Sequence, residues 1–371
     1  MYKLLKAAMP SQVKLWVRSF LQKVSLLLSG FFANYQWTAS LYYSLFSRQF
    51  AREHKAVLQG RAAYRRSLTQ VGQSSALLRR NIHRLEKGLI MQPRRAVFAS
   101  DYIMETVVVF VKAAQQATLC DAELKWATDV LTEYFAVVQD NAVIAKARAL
   151  FHSAGQSVVD TPSVPYAHQS LPPAAVSFAD LSALFLRRRS VRWYQQKTVE
   201  PELIRQAVNI ATLAPSACNR QPYRFDLLSN PEDAAEIARC AMGTTGFADN
   251  IPCLIVVVGD LSCYPAERDR HVIYIDASLA TMQLMLALET LGLSTCPINW
   301  PDIEEREVQL QKKLGLAYYE RPVMLLAVGY ADPLGGIPYS QKKTDELLVR
   351  EVKIGTEQSD HSARTHSEVE R

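Results

Sequence analysis

The chain has 371 residues, 49% hydrophobic and 21% charged, with 14 Gly and 17 Pro. That is ordinary globular usage, long enough for two or three folded units, and it excludes disordered, collagen-like and disulfide-scaffold classes. The net charge of +6 hides a split, because residues 1–100 carry 17 Lys/Arg against two acids, Glu53 and Glu86, and the remainder is net acidic.

A basic N-terminal region points to an anionic partner such as a membrane surface or polyanion, or else to a helix face kept soluble by Arg and Lys. The six cysteines form no C-x-x-C pair, so free thiols in a reducing compartment are expected. No metal site is expected: His83 and Glu86 stand three apart without further ligands, as a helix-surface pair does. The start, MYKLLKAAMPSQVKLW, lacks a signal-peptide pattern, which predicts a cytoplasmic protein.

Residues 1–50 read as a basic amphipathic helical segment. Val13, Trp16, Val17, Phe20, Leu21, Val24, Leu27, Leu28 and Phe31 follow one helix face, with Lys14, Arg18, Gln22, Ser25 and Ser29 opposite. Between Lys23 and Arg48, Ser25, Ser29, Asn34, Gln36, Thr38, Ser40 and Ser44 interrupt the run and argue against a spanning segment. The helix is expected either to lie on an anionic membrane, peripheral on its inner face, or to pack its stripe on the rest of the protein or across a dimer. Residues 51–152 read as a helical accessory region, with one run through Ile103, Val107, Phe110 and Ala114 and a second from Leu124 to Leu150. A Pro-rich linker is expected at 153–177, where Pro162, Pro165, Pro172 and Pro173 cluster.

From 178 the pattern becomes mixed. Helices are predicted over Phe178–Arg187, Pro201–Ala214, Pro231–Met242 and Tyr274–Leu291, the last long, apolar and closed by Gly292. Strands are predicted over Tyr223–Leu228, Leu254–Gly259, Ser294–Ile298 and Arg321–Gly329. Interleaved strands and helices predict a sheet covered by helices. A polar, disordered tail is expected over 351–371.

Three clusters carry chemistry. Arg187 to Arg192 (RRRSVR) offers guanidinium forks and a hydroxyl suited to a phosphate. Ala214 to Pro222 (APSACNRQP) is a loop of small, amide and hydroxyl residues able to approach a flat heterocycle. Ser340 to Lys343 (SQKK) is a late basic cluster. Taken singly, a solvated face or a plain turn would explain each.

In order, these clusters resemble the nitroreductase-like flavoprotein family. The resemblance rests on RRRSVRWY (187–194), APSACNRQPYRF (214–225), YIDASLATMQLMLALETLGLSTCPI (274–298), PVMLLAVGYAD (322–332) and QKK (341–343), and covers about 178–350. It implies an α+β fold, a mostly antiparallel central sheet flanked by helices, here with an all-α N-terminal extension. It further implies a homodimer with FMN at the interface. By position, Arg188, Arg189, Ser190 and Arg192 would hold the FMN phosphate and ribityl end, with Lys342 and Lys343 completing that site. Pro215, Ser216, Asn219 and Gln221 would border the isoalloxazine, and Pro297 and Ile298 would set backbone groups near N5. No catalytic side chain is implied, since flavin N5 carries the chemistry.

The sequence departs from the family pattern at two places. Tyr223 stands where Trp is frequent, and Cys296-Pro297-Ile298-Asn299-Trp300 replaces an acidic-glycine pair, which leaves the second substrate open. Ile82 to Leu89 (IHRLEKGL) resembles an element of N-terminally extended relatives that accompany bacterial polysaccharide biosynthesis.

The implied activity is ping-pong hydride transfer from NADH or NADPH through FMN to an electron-poor small molecule, such as a nitro compound or quinone. A flavin dehydrogenase acting on a polysaccharide or peptide intermediate stays open, as does a membrane-associated scaffold with a degenerate flavin site. G-x-G-x-x-G is absent, so nicotinamide would dock on the flavin itself. Nucleic-acid binding is not expected, because the basic half carries no recognition motif.

Overall fold

The computed structural model describes residues 11–154 and 162–352. They fall in two compact units, Met1–Gly336 and Ile337–Arg371. Residues 1–10 of the basic segment, 155–161 of the expected linker and the tail from 353 lie outside the described residues.

The first unit begins with α1 (Ser11–Phe32) and α2 (Gln36–Leu45). Much of the apolar stripe of α1 is left open by the described residues: Trp16, Phe20, Leu27 and Phe31 are each more than half exposed. Next come α3 (Ala51–Ser67), α4 (Ala76–Leu89), α5 (Ile103–Gln116), α6 (Asp121–Val137) and α7 (Ala142–Ser153). Helices α4 to α7 share a core of their own, built from Leu78, Ile82, Leu85, Ile103, Phe110, Leu131, Tyr134, Ile144 and Phe151. The run expected from Leu124 to Leu150 is two helices. Asn141 interrupts it, its side-chain oxygen accepting from the N–H groups of Val143 and Ile144 at 3.0 and 2.9 Å, and so starts α7.

After residue 162 the chain carries only a 3-10 turn, His168–Ser170, before α8 (Phe178–Arg187). Then follow α9 (Pro201–Ala211), β1 (Tyr223–Leu228), α10 (Pro231–Ala238), β2 (Cys253–Asp260), α11 (Val272–Thr290), β3 (Ser294–Asn299), α12 (Glu304–Leu314) and β4 (Glu320–Gly329). The strands form one antiparallel sheet in the order β1-β2-β4-β3. Helices α9 and α10 stop earlier than their apolar patterns suggest, at Ala211 and Ala238, before the turns that follow.

The alternation of strand side chains divides the core between the two faces of the sheet. Leu254, Val256, Val258, Leu325, Ala327 and Ile298 pack with Ile237 and Leu310, from α10 and α12. Cys253, Ile255, Leu326 and Val328 pack with Ile204, Ala207, Leu284 and Leu288, from α9 and α11. A central strand covered on both faces explains the unbroken apolar run of β2. By length and apolarity the helix ending at Thr290 would suit a membrane span; its place against the sheet accounts for that apolarity.

Helix α3 ties the helical half to the sheet. Ala56 and Val57 pack with Leu261, Tyr264 and Ile273. Gly60 permits the approach, since a Cβ there would fall 2.7 Å from Leu261 Cβ and 2.9 Å from its backbone. Beside it, buried Glu307 accepts from Arg52 Nε at 3.0 Å, Trp300 Nε1 at 2.9 Å and Arg321 Nη2 at 3.3 Å.

The described part of the second unit contains one helical turn, α13 (Asp345–Leu348).

Candidate functional site

The chain leaves α8 at Arg187 and runs along the edge strand β3. Ser190 bridges Thr295 in parallel, with Val191 N–H donating to Thr295 O at 3.0 Å. This lays Arg188, Ser190 and Arg192 beside β3. Burial pushes the Cys296 thiol pKa up, while Arg192 and Arg188 pull it the other way, so both guanidinium groups act on one buried point. Arg192 also lies 5.9 Å from the centre of the Phe247 ring. Arg189 is turned back on α8, donating to Phe185 O at 3.3 Å and Arg188 O at 3.1 Å. Arg187, outside the expected set, pairs with Glu289 of α11 at 3.0 Å.

Two buried polar atoms here have no partner: Arg188 Nε and Thr295 Oγ1. An orphaned buried donor costs about 1–3 kcal/mol, a cost that an anionic oxygen accepting from Arg188 Nε would remove. The phosphate end of FMN therefore fits this segment.

The loop between α9 and β1 is built around Asp276, a buried acid on α11. Asp276 accepts from Ser216 Oγ at 2.7 Å and Ala217 N–H at 2.9 Å, and Ser216 Oγ accepts in turn from Gln221 N–H at 2.8 Å. Cys218, Asn219 and Gln221 adopt left-handed backbone, with φ of 54°, 50° and 48°. Arg79 of α4 clamps them from the helical half. Its Nε donates to Asn219 O at 2.8 Å and its Nη2 to Gln221 Oε1 at 3.2 Å, while Nη1 pairs with buried Glu123 at 3.1 Å. Pro215 is exposed at the loop mouth. Arg220 is buried against the Tyr264 ring and donates to Cys263 O, so it frames the loop from behind.

In β3, Pro297 is half-buried and the Ile298 side chain belongs to the core, leaving its backbone as what it can offer a ligand. Lys342 and Lys343 lie in the second unit, both exposed. Neither Asp276 nor Arg79 was expected. A lone acid inside the apolar run of α11 is a signal that could have found Asp276; nothing local marks Arg79.

One chain thus assembles two separate groups. Asp276, under the loop, and Glu289, under the Arg segment, are about 20 Å apart along α11 at 1.5 Å per residue. The loop feeds β1 and the Arg segment flanks β3, at opposite edges of the sheet. A cavity of ≈ 610 Å³ between α9 and β1, lined by Arg205, Gln221, Tyr223 and Phe225, reaches the loop side alone. On α11, Ile275 beside Asp276 and Leu279 between the two groups are exposed.

The sequence profile of the nitroreductase family matches residues 186–330. A relative from Archaeoglobus fulgidus, named "Putative NADH dehydrogenase/NAD(P)H nitroreductase", is 30% identical over 145 residues, 38% of this chain and 80% of its own. Iodotyrosine deiodinase 1 of Homo sapiens is 24% identical over 220 residues, 50% of this chain and 74% of its own. Among solved structures, an FMN-dependent nitroreductase from Clostridium difficile R20291 aligns with a TM-score of 0.40 at 23% identity, over 46% of this chain and 98% of its own.

Proposed function

The chain belongs to the nitroreductase family, and on that footing we propose that it is an FMN-dependent oxidoreductase that moves hydride from NADH or NADPH to an electron-poor small molecule, a nitro compound or quinone, by a ping-pong sequence. Bound FMN would supply the hydride chemistry at N5. The observation that carries the reading is the pair of orphaned atoms, Arg188 Nε and Thr295 Oγ1, beside Arg192. Arg188, Ser190 and Arg192 hold the phosphate, with Arg189 bracing the end of α8. Backbone groups of Pro297 and Ile298 would border the ring.

The loop from Pro215 to Gln221, held in shape by Asp276 and Arg79, forms the opposite wall from a second copy of the chain. The 20 Å separation and the exposed apolar residues of α11 support that homodimer. The exposed stripe of α1, with no acid before Glu53, supports peripheral attachment to an anionic membrane.

Purified protein titrated with FMN should acquire a flavin spectrum that bleaches anaerobically on adding NADH or NADPH. Replacing Arg188 and Arg192 with Ala removes two charge-assisted contacts, about 1.5–3 kcal/mol each, and should weaken FMN retention at least about a hundredfold while thermal unfolding stays cooperative. A wild-type protein that stays colourless in excess FMN, or a double variant that retains FMN normally, overturns the proposal.

A further inference from the structure

The family assignment leaves unused the segment Ile82–Leu89 at the end of α4. It lines a cavity of ≈ 390 Å³ together with the loop that follows, 90–102. Three cations face this cavity: Arg84, Lys87 and Arg95. The Arg84 guanidinium is stacked 3.6 Å from the centre of the Tyr102 ring, which fixes its plane. Burial pushes the Tyr102 hydroxyl up to about 12, so it stays neutral and cancels none of the charge. Lys87 and Arg95 have no hydrogen-bond or ion-pair partner among the described residues. Among the described residues the acid paired with Arg84 is Asp101, 3.5 Å away and 75% exposed. Glu86 on the same turn is engaged elsewhere, by Trp126 Nε1 at 2.9 Å and His83 Nδ1 at 3.1 Å. Gly88 shapes the wall: a Cβ there would fall 2.4 Å from the Phe98 ring, so only glycine lets that ring lie against the helix.

We propose that this cavity binds a phosphate-bearing ligand, the phosphate on Arg84, Lys87 and Arg95 and an apolar portion against Phe98 and Met91. A planar Arg fork with two further cations and one exposed acid leaves an excess of positive charge that suits a phosphate dianion. The volume suits a small ligand or a headgroup. None of these residues belongs to the flavin site, so the proposal stands apart from the activity above.

The test uses the full chain and two probes: inorganic pyrophosphate by calorimetry, and cosedimentation with phosphatidylcholine vesicles with and without phosphatidic acid. Lys87 and Arg95 are exposed, so a K87Q/R95Q variant should keep its unfolding temperature. Saturable pyrophosphate binding, weakened at least about tenfold in K87Q/R95Q but kept in R188A/R192A, supports the site with a soluble phosphate ligand. Phosphatidic-acid-dependent cosedimentation that K87Q/R95Q lowers, without pyrophosphate binding, supports it with a lipid headgroup. Binding of neither probe, or binding that K87Q/R95Q leaves unchanged, overturns it.

Discussion

Arg79 lies in the helical half yet reaches the loop expected beside the flavin, so removing it tests whether the N-terminal region shapes the site. The left-handed backbone of Cys218, Asn219 and Gln221 is disfavoured by about 1–2 kcal/mol per residue, roughly 3–6 kcal/mol together. Against this stand two charge-assisted bonds from Arg79, to Asn219 O and Gln221 Oε1, each about 1.5–3 kcal/mol. The two amounts are comparable, so Arg79→Met, which keeps volume and loses every donor, lets the loop relax. A net shift of about 2 kcal/mol lowers the population of the binding-competent loop, and with it FMN affinity, about thirtyfold. Arg79→Lys keeps a charge near Glu123 but loses the fork, and should fall between. Quenching of free FMN fluorescence on binding measures all three proteins, with thermal melts alongside. Arg79→Met affinity within threefold of wild type, in an assay where R188A/R192A loses binding, would refute the coupling.

Glu307→Gln places a donor where Arg52, Trp300 and Arg321 all donate, and leaves two buried guanidinium groups with only Glu304, Gln311 and Asp302. Urea unfolding should show a loss of about 3 kcal/mol, and a change under about 0.5 kcal/mol would count against a buried network. Gly60→Ala gains about 1 kcal/mol of helix propensity but drives a methyl into the Leu261 backbone, an overpacking of about 1–3 kcal/mol; the melting temperature should fall, and a rise would show that α3 does not seat so closely. Burial pushes the Asp260 carboxyl above its usual range. Its folded pKa thus exceeds its unfolded one, so its contribution is fully present below about pH 4 and is lost as pH rises through the folded value. Asp260→Asn, whose side-chain oxygen can still accept from Ser262 N–H, removes that loss, so its stability relative to wild type should grow from pH 4 to pH 7; a constant difference would contradict the assignment.

Much of the sheet domain was legible in the chain. Strands β2 and β4 are apolar runs closed by glycine, and β1 spans Tyr223–Leu228 as its pattern predicts. The apolar length of α11 follows from a helix packed along a sheet. The candidate site was legible only as types of residue. Arg188 and Arg192 carry the right chemistry in an ordinary Arg run, but the burial of Arg188 Nε without a partner depends on the fold around it. Asp276, Arg79 and the Arg52–Glu307 pair act across 59 to 255 residues, and no local pattern records them. Asn141 shows the opposite failure: a cap written in the sequence was overridden by helical periodicity on both sides.

Helix α11 holds the loop near one end and the Arg segment near the other. On the two-chain reading, a lone protomer has no complete cradle, so flavin capture becomes second order in protein concentration and dilution alone would release it. Defects in the two halves would also complement. Co-expressing a chain damaged at Arg188 and Arg192 with one damaged in the loop yields, by random pairing, about a quarter of sites rebuilt from the undamaged half of each, and colour would return to a mixture of two colourless proteins.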